Sequence, residues 1–249
     1  MTSIYQSDAL LWRCYQITDC HLVADADGSY QGIQPYRHLQ RLLASLQPYP
    51  LILTGDLTQD HSEASYRLLA ELLQDWPAPV FYLPGNHDDP VLMASVFANQ
   101  PFHSAKEIWC ADWQLLLLST KGDTPAGSFS DERLATLASR LADQPERAAW
   151  LFCHHHPKPI GSSIDEHGLL NSLEFCQFLD NTLKVKGVAH GHCHHAYHQA
   201  EGRWQIVGCP ASSVQFKLAP EWLTEDLGPQ ACLWQFAADQ HVMWEFVVV

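Results

Sequence analysis

Groups that bind cations or move protons are concentrated in five short stretches of this 249-residue sequence. They are Asp19-Cys20-His21, Gly55-Asp56, Gly85-Asn86-His87-Asp88, His154-His155-His156 and Gly191-His192-Cys193-His194. Imidazole nitrogens mixed with carboxylate oxygens suit Mn, Fe, Zn or Co better than Ca or Mg, which prefer oxygen shells. No Cys-x-x-Cys pair occurs, so a structural zinc knuckle is not expected, and open coordination positions fit a catalytic palette. In LPGNHDD, residues 83–89, Pro84-Gly85 is ordinary turn chemistry. A turn does not call for an amide, an imidazole and two carboxylates directly after it.

Each stretch closes an apolar run, as parallel strands do when their C-terminal ends carry a site. The runs are LLWRCYQITDCH, YPLILTGD, PVFYLPGNHD, AAWLFCHHHP and VKGVAHGHCHH. Helical spacing of apolar residues lies between them, over 35–46 (Leu39, Leu42, Leu43, Leu46), 62–74 (Tyr66, Leu69, Leu72, Leu73), 131–141 and 170–183. Strand followed by helix, repeated, predicts βαβ units and a largely parallel sheet. After residue 196 the strands come closer together: AYHQAEGRWQIVGCP with a Glu201-Gly202 hairpin turn, then SSVQFKL, ACLWQFA and HVMWEFVVV. These predict a second, more antiparallel sheet, with residues 218–229 as an ordered loop.

The chain is 47% apolar, with no linker composition and no repeat period, which predicts one domain over residues 1–249. A net charge of −14 with only 14 Lys and Arg leaves no basic stripe, which argues against duplex nucleic acid. There is no basic leader before an apolar run and no 18-residue apolar segment, so no membrane partner is expected and a cytoplasmic protein is. Eight cysteines in such a chain read as reduced, mostly buried thiols. Oligomeric state, monomer or dimer, stays open.

The order D-x-H, G-D, G-N-H-D, H, G-H-x-H resembles the calcineurin-like metallophosphoesterase superfamily. QITDCHL, TGDLTQD, LPGNHD, HHHPKP, GHCHH and SVQFK, spanning residues 16–217, look like the class III cyclic-nucleotide phosphodiesterases, specifically the bacterial 3',5'-cyclic-AMP group. This resemblance implies an α/β fold (α+β by some schemes), a four-layer αββα sandwich of metallophosphoesterase type. It also implies two metal ions, Fe and/or Mn with Zn or Co as alternatives, at the C-terminal strand edges. One would be held by Asp19, His21, Asp56 and His194, the other by Asp56, Asn86, His154 and His192, with Asp56 bridging because each of its two oxygens can face a cation. His154 is favoured over His155 in the triple histidine, and His156 is read as a supporting residue. His87 becomes the catalytic acid, and Asn86 and His87 contact the phosphate.

The implied reaction is hydrolysis of 3',5'-cyclic AMP to 5'-AMP by a water made reactive between the two ions. A small phosphodiester is thus the expected partner. A glycerophosphodiester, a 2',3'-cyclic nucleotide or a nucleotide-sugar lipid is the alternative substrate, because ligands report the reaction rather than the leaving group. A noncatalytic scaffold is a third reading, against which the intact His87 and full donor set weigh. Phe216 either stacks on a purine or belongs to ordinary alternation, with Val214 and Phe216 inward and Gln215 and Lys217 outward. Asp88 either orients an imidazole or caps the helix beginning DPVLMASVF. Asp60 is expected to cap near Ser62, and His190, His195 and His198 to be mostly surface or supporting groups. Cys20 and Cys193 read as small side chains filling their motifs.

Overall fold

Apolar residues on both faces of most strands require a cover on each side, and the chain meets this with two stacked sheets between two helical layers. The computed structural model describes residues 3–249. The first half runs β1 (Ile4–Ser7), β2 (Leu11–Ile17), α1 (Pro35–Ser45), β3 (Leu51–Thr54), α2 (Glu63–Leu73), β4 (Val80–Leu83), α3 (Pro90–Val96) and β5 (Phe102–His103). Next come β6 (Glu107–Cys110), β7 (Trp113–Leu117), α4 (Asp131–Ala142), β8 (Ala148–Phe152), a 3₁₀ turn (Ser163–His167), α5 (Ser172–Asn181) and β9 (Val185–His190). The chain ends with β10 (Tyr197–Glu201), β11 (Trp204–Gly208), β12 (Gln215–Phe216), β13 (Thr224–Glu225), β14 (Gln230–Ala237) and β15 (Val242–Val248).

One sheet has the order β1-β6-β7-β8-β9-β11-β10 and the other β15-β14-β2-β3-β4-β5. The strands β2 to β5 are parallel, as are β7, β8, β9 and β11. Side chains alternate with the two-residue period of a strand. Trp12, Ile52, Phe81, Trp113, Trp150, Phe152, Trp234 and Phe236 point into the space between the sheets. Their neighbours Ile17, Leu53, Val80 and Tyr82 meet Leu39, Leu42, Tyr66, Leu69 and Met93 of α1 to α3. On the other side Leu116, Leu151 and Val188 meet Leu137, Leu141, Phe175 and Leu179 of α4 and α5. The αββα sandwich is as expected, and the chain has mixed parallel and antiparallel strands.

The strands after residue 196 do not all gather into one more antiparallel sheet: only β12 forms a separate antiparallel pair, with β13 from within the expected loop 218–229, and the two hairpins join the larger sheets. The hairpin β10–β11 turns at Gly202–Arg203, one residue later than expected because Glu201 still pairs with Trp204, with Gly202 at φ +59; β11 then pairs in parallel with β9. The hairpin β14–β15 instead adds to the other sheet through antiparallel β14–β2 pairing. Local alternation fixes a hairpin but not the edge it joins, and each edge here offers unpaired backbone groups that need a partner. The strands β1, β5, β6 and β7 were not anticipated, being short or fully buried. No helix among the described residues is long and apolar enough to cross a membrane.

Candidate metal centre

The five motif ends converge because parallel strands of both sheets deliver their C-terminal ends to one edge. Asp19 follows β2 by two residues, Asp56 follows β3 by two, Asn86 follows β4 by three, and His154 and His192 follow β8 and β9 by two. Their side chains form two adjoining clusters. In the first, His194 Nε2 lies 3.3 Å from Asp19 Oδ1 and 3.0 Å from His21 Nε2. In the second, His154 Nε2 lies 3.3 Å from Asp56 Oδ2, 3.1 Å from Asn86 Oδ1 and 3.2 Å from His192 Nδ1. Asp56 Oδ2 is also 3.8 Å from His21 Nε2, so one oxygen faces both clusters. The other oxygen, Oδ1, accepts the His87 backbone N–H at 2.8 Å. Each Asp56 oxygen was expected to face a cluster of its own; here Oδ2 faces both donor groups and Oδ1 the His87 backbone.

Each donor imidazole is oriented from behind. The outer nitrogens of His21, His154, His194 and His192 donate to Gln59 Oε1 (2.7 Å), Thr54 O (2.8 Å), Val214 O (2.7 Å) and His167 O (3.1 Å). A carbonyl oxygen only accepts, so the neutral ring must present its lone pair inward. His192 thereby offers Nδ1 and the other three offer Nε2.

The local backbone is strained where these residues sit. Asp19, His21, Asp56, His192 and His194 have φ between +47 and +67, a left-handed region that L-residues with side chains enter at a cost. Such outliers persist only where the surrounding structure over-determines them. The motif glycines make room: a Cβ on Gly85 would strike the Asp56 carboxylate, and one on Gly191 would strike Thr18 and Asp19.

Electrostatics separate the groups as a cation site requires. Burial would raise the Asp56 carboxyl, but the charge and hydrogen bond of His154 more than offset this and hold it well below the usual range. Asp19 is lowered in the same way, against burial, by His194. Burial, then the neighbouring His194, pushes His21 down to about 3. His192 is driven well below its ordinary value by burial and by His155 and His154. His154 goes the other way, to about 9, because Asp56 overcomes the penalty of burial. A proton held there lies among the same oxygens that would hold a cation. Asp19 Oδ1 is buried without a hydrogen-bond partner, an unsatisfied anionic atom aimed at the first cluster. Anionic carboxylates and lone-pair imidazoles, with this orphaned oxygen, fit a pair of divalent cations.

The remaining histidines separate by their partners. His155 contacts Thr120 Oγ1 (2.8 Å) and Pro125 O (3.1 Å), and its ring also lies beside those of His154 and His192, with which it could share a cation. His156 bonds Asp165 Oδ1 at 3.2 Å, and His190 bonds Gly191 O and Tyr197 OH. His198 is exposed and His195 half-buried. His87 Nδ1 has no partner, and its ring stands 5.3 Å from that of His21 over a cavity of about 320 Å³. Tyr30, Gln31, Asn86, Phe216, Trp222 and Thr224 also line that cavity.

Asp88 neither orients an imidazole nor caps a helix. It is buried and accepts from the Leu57 and Gly85 backbone and from the Tyr66 hydroxyl, while Asp89 caps α3 through Val91 and Leu92 N–H. The Asp60 carboxylate accepts from Ala24 and Ser62 N–H and supports Ser62, which is the cap of α2 itself. Gln215, expected outward, is buried because its amide is taken by Ala211 O and Leu227 N–H. Phe216 is 9% exposed and stacks on His194 at 4.0 Å and 5°. Sequence reasoning missed Gln59 and Tyr30, whose ring stacks on His21 at 4.5 Å. Gln59 was within reach, being part of the TGDLTQD motif; Tyr30 carries no local signal, because a loop brings it to the site.

Comparison with known proteins agrees with this geometry. The profile of the calcineurin-like phosphoesterase family matches residues 13–196. A probable cyclic nucleotide phosphodiesterase of Pseudoalteromonas sp. strain SM9913 is 39% identical over 92% of this chain and 89% of its own length. The 3',5'-cyclic adenosine monophosphate phosphodiesterase CpdA of Escherichia coli K12 is 34% identical over 86% of this chain and 85% of its own. Among solved structures, a dimetal phosphatase from Danio rerio superposes with a TM-score of 0.60 at 14% identity, covering 95% of this chain and 98% of that one. A purple acid phosphatase from yellow lupin reaches 0.65 at 15% identity, covering 96% and 52%, and these two likenesses concern the fold. A profile match that takes in all five donor motifs whole, joined to relatives that align along nearly the full chain, makes this protein a member of the calcineurin-like phosphoesterase family.

Proposed function

We propose that the chain hydrolyses 3',5'-cyclic AMP to 5'-AMP. The observation that carries this reading is the convergence of Asp19, His21, Asp56, Asn86, His154, His192 and His194 on two clusters that share Asp56 Oδ2, beneath a cavity lined by His87. The printed names of the Pseudoalteromonas and Escherichia coli relatives support the choice of a cyclic nucleotide. Asp19, His21, Asp56 and His194 would hold one cation and Asp56, Asn86, His154 and His192 the other, a donor set that suits iron or manganese, with zinc or cobalt as substitutes. When bound, the cations polarise the phosphoryl oxygens and lower the pKa of water at the site toward neutrality.

The protein's own groups complete the chemistry. Asn86 presents its amide oxygen to the His154 side while its backbone carbonyl accepts from Lys121 Nζ at 2.8 Å, which fixes the turn. His87 anchors Asp56 through its backbone N–H and keeps its ring free over the cavity. From there the imidazole contacts the phosphoryl group and gives its proton to O3' as the P–O3' bond breaks. Phe216 holds the His194 ring flat and forms part of the substrate wall. The chain works as one domain over residues 1–249, a reading supported by an intersheet core that draws on residues from Trp12 to Phe246. Eight buried free thiols support a reducing, cytoplasmic setting.

The test is a substrate panel on protein reconstituted with Mn or Fe. Cyclic AMP should be turned over far faster than glycerophosphodiesters or 2',3'-cyclic nucleotides. Preference for one of the latter moves the assignment to that substrate. No hydrolysis of bis(p-nitrophenyl) phosphate with added Mn refutes a catalytic role altogether.

A further inference from the structure

The cavity rim carries a large aromatic side chain used neither by the donor set nor by the core. Trp222 is 51% exposed, yet it lines the cavity together with His87, His192 and His194. Leu218, Leu223 and Leu227 of the same segment are also exposed, but only Trp222 of the four faces the cavity. Its ring meets Phe216 edge to face at 5.6 Å and 88° and approaches His167 at 6.0 Å. The backbone around it is tied down: Ser163 N–H donates to Ala219 O, Lys217 N–H to Leu223 O, and β12 pairs with β13. A side chain half open to water on a fixed backbone is preorganised for a flat ligand.

Phe216 is the more enclosed of the two rings, with His194 stacked on one of its faces and only 9% of it exposed. Trp222 stands one ring further out, two ring contacts from the donor cluster. A 3',5'-cyclic nucleotide fuses its phosphate to the ribose, so a phosphate held at the cations carries its base at a short, nearly fixed reach. An indole suits that position, since every purine has a π-face and stacking tolerates any base.

We propose that Trp222 is the platform on which the substrate's purine stacks, and so sets the preference for nucleotides over baseless phosphodiesters. This rests on the cyclic-nucleotide reading above. Gln31 and Thr224 line the same cavity and offer polar groups to the purine edge.

The experiment uses full-length protein reconstituted with Mn, as wild type, Trp222→Ala and Trp222→Phe, each checked for cation content and melting temperature. The readouts are KM for cyclic AMP and the inhibition constants of 5'-AMP and ribose 5-phosphate. Trp222→Ala should raise KM and the 5'-AMP constant about tenfold, leave ribose 5-phosphate unchanged, and be largely rescued in Trp222→Phe. Equal weakening of both inhibitors, or of neither, overturns the platform while leaving the cyclic-nucleotide reading intact. A wild type that does not hydrolyse cyclic AMP overturns both.

Discussion

The space between the two sheets and the edge where the donors meet are built on opposite terms. Between the sheets, Trp150 lies 5.1 Å from Trp234, Trp113 lies 5.2 Å from Phe236, and Trp234 stacks on Phe236 at 15°. Nearly all of that layer is apolar and in regular strand geometry, and burial is what chiefly stabilises it. At the edge, five donor residues sit at positive φ, two carboxylates are desolvated, and a Cβ on Gly55, Gly85 or Gly191 would collide with its neighbours. Strained, desolvated groups persist where a well-packed neighbour over-determines them. The aromatic layer is therefore what lets the edge hold a geometry that would otherwise relax.

If the two regions divide labour in this way, substitutions should separate cation binding from stability. Asp56→Ala should lower turnover by about 10⁴-fold, worth ~5.5 kcal/mol, together with cation content by elemental analysis. Retained activity would remove the shared carboxylate from the site. Phe236→Ala, at the centre of the aromatic layer, should cost about 3–5 kcal/mol in urea unfolding of the cation-free protein while cation stoichiometry stays at the wild-type value. Loss of cations in that variant at temperatures where it remains folded would blur the division.

Finer tests probe the edge itself. His87→Gln should reduce kcat about 10²-fold, ~2.7 kcal/mol, with cations retained, because the backbone N–H to Asp56 survives the change. Gln59→Ala should weaken cation affinity about tenfold, ~1.4 kcal/mol by competition with a chelator, since only the brace behind His21 is removed. The smallest effect belongs to Lys106, whose ammonium lies over the Tyr82 ring and is lowered to about 8 by burial. Between about pH 8 and an unfolded value near 10.4, the unfolded chain holds more protons than the folded one, so stability should rise with pH across that window. The gain should be on the order of 1 kcal/mol after solvent screening and shrink in Lys106→Met, as measured by urea midpoints at stepped pH.

Much of the site could be read from residue order, because a parallel strand delivers whatever follows its last apolar residue to one edge. That rule brought the turns bearing Asp19, Asp56, Asn86, His154 and His192 to one edge, and the family resemblance picked those residues out of each turn. The rule fails where pairing is long-range. The hairpins β10–β11 and β14–β15 were recognisable as hairpins, yet each joined an existing sheet, since free edges and not local alternation choose a strand's neighbour. Asp88 and Asp89 look alike in a row of letters. Buried amides from Leu57 and Gly85 claimed the first, and the start of α3 claimed the second.

Amino-acid order by itself determined the palette, the strand-then-helix rhythm and the set of turns that carry the donors, since these follow from side-chain chemistry and from periods of 2 and 3.6 residues. Tertiary structure decided which nitrogen of each imidazole faces inward, that a single Asp56 oxygen serves both clusters, and that Phe216 is covered while Trp222 is open. Those outcomes depend on carbonyls and rings from distant segments, such as Val214 behind His194 and His167 behind His192, whose positions are set only once both sheets have closed over a common core.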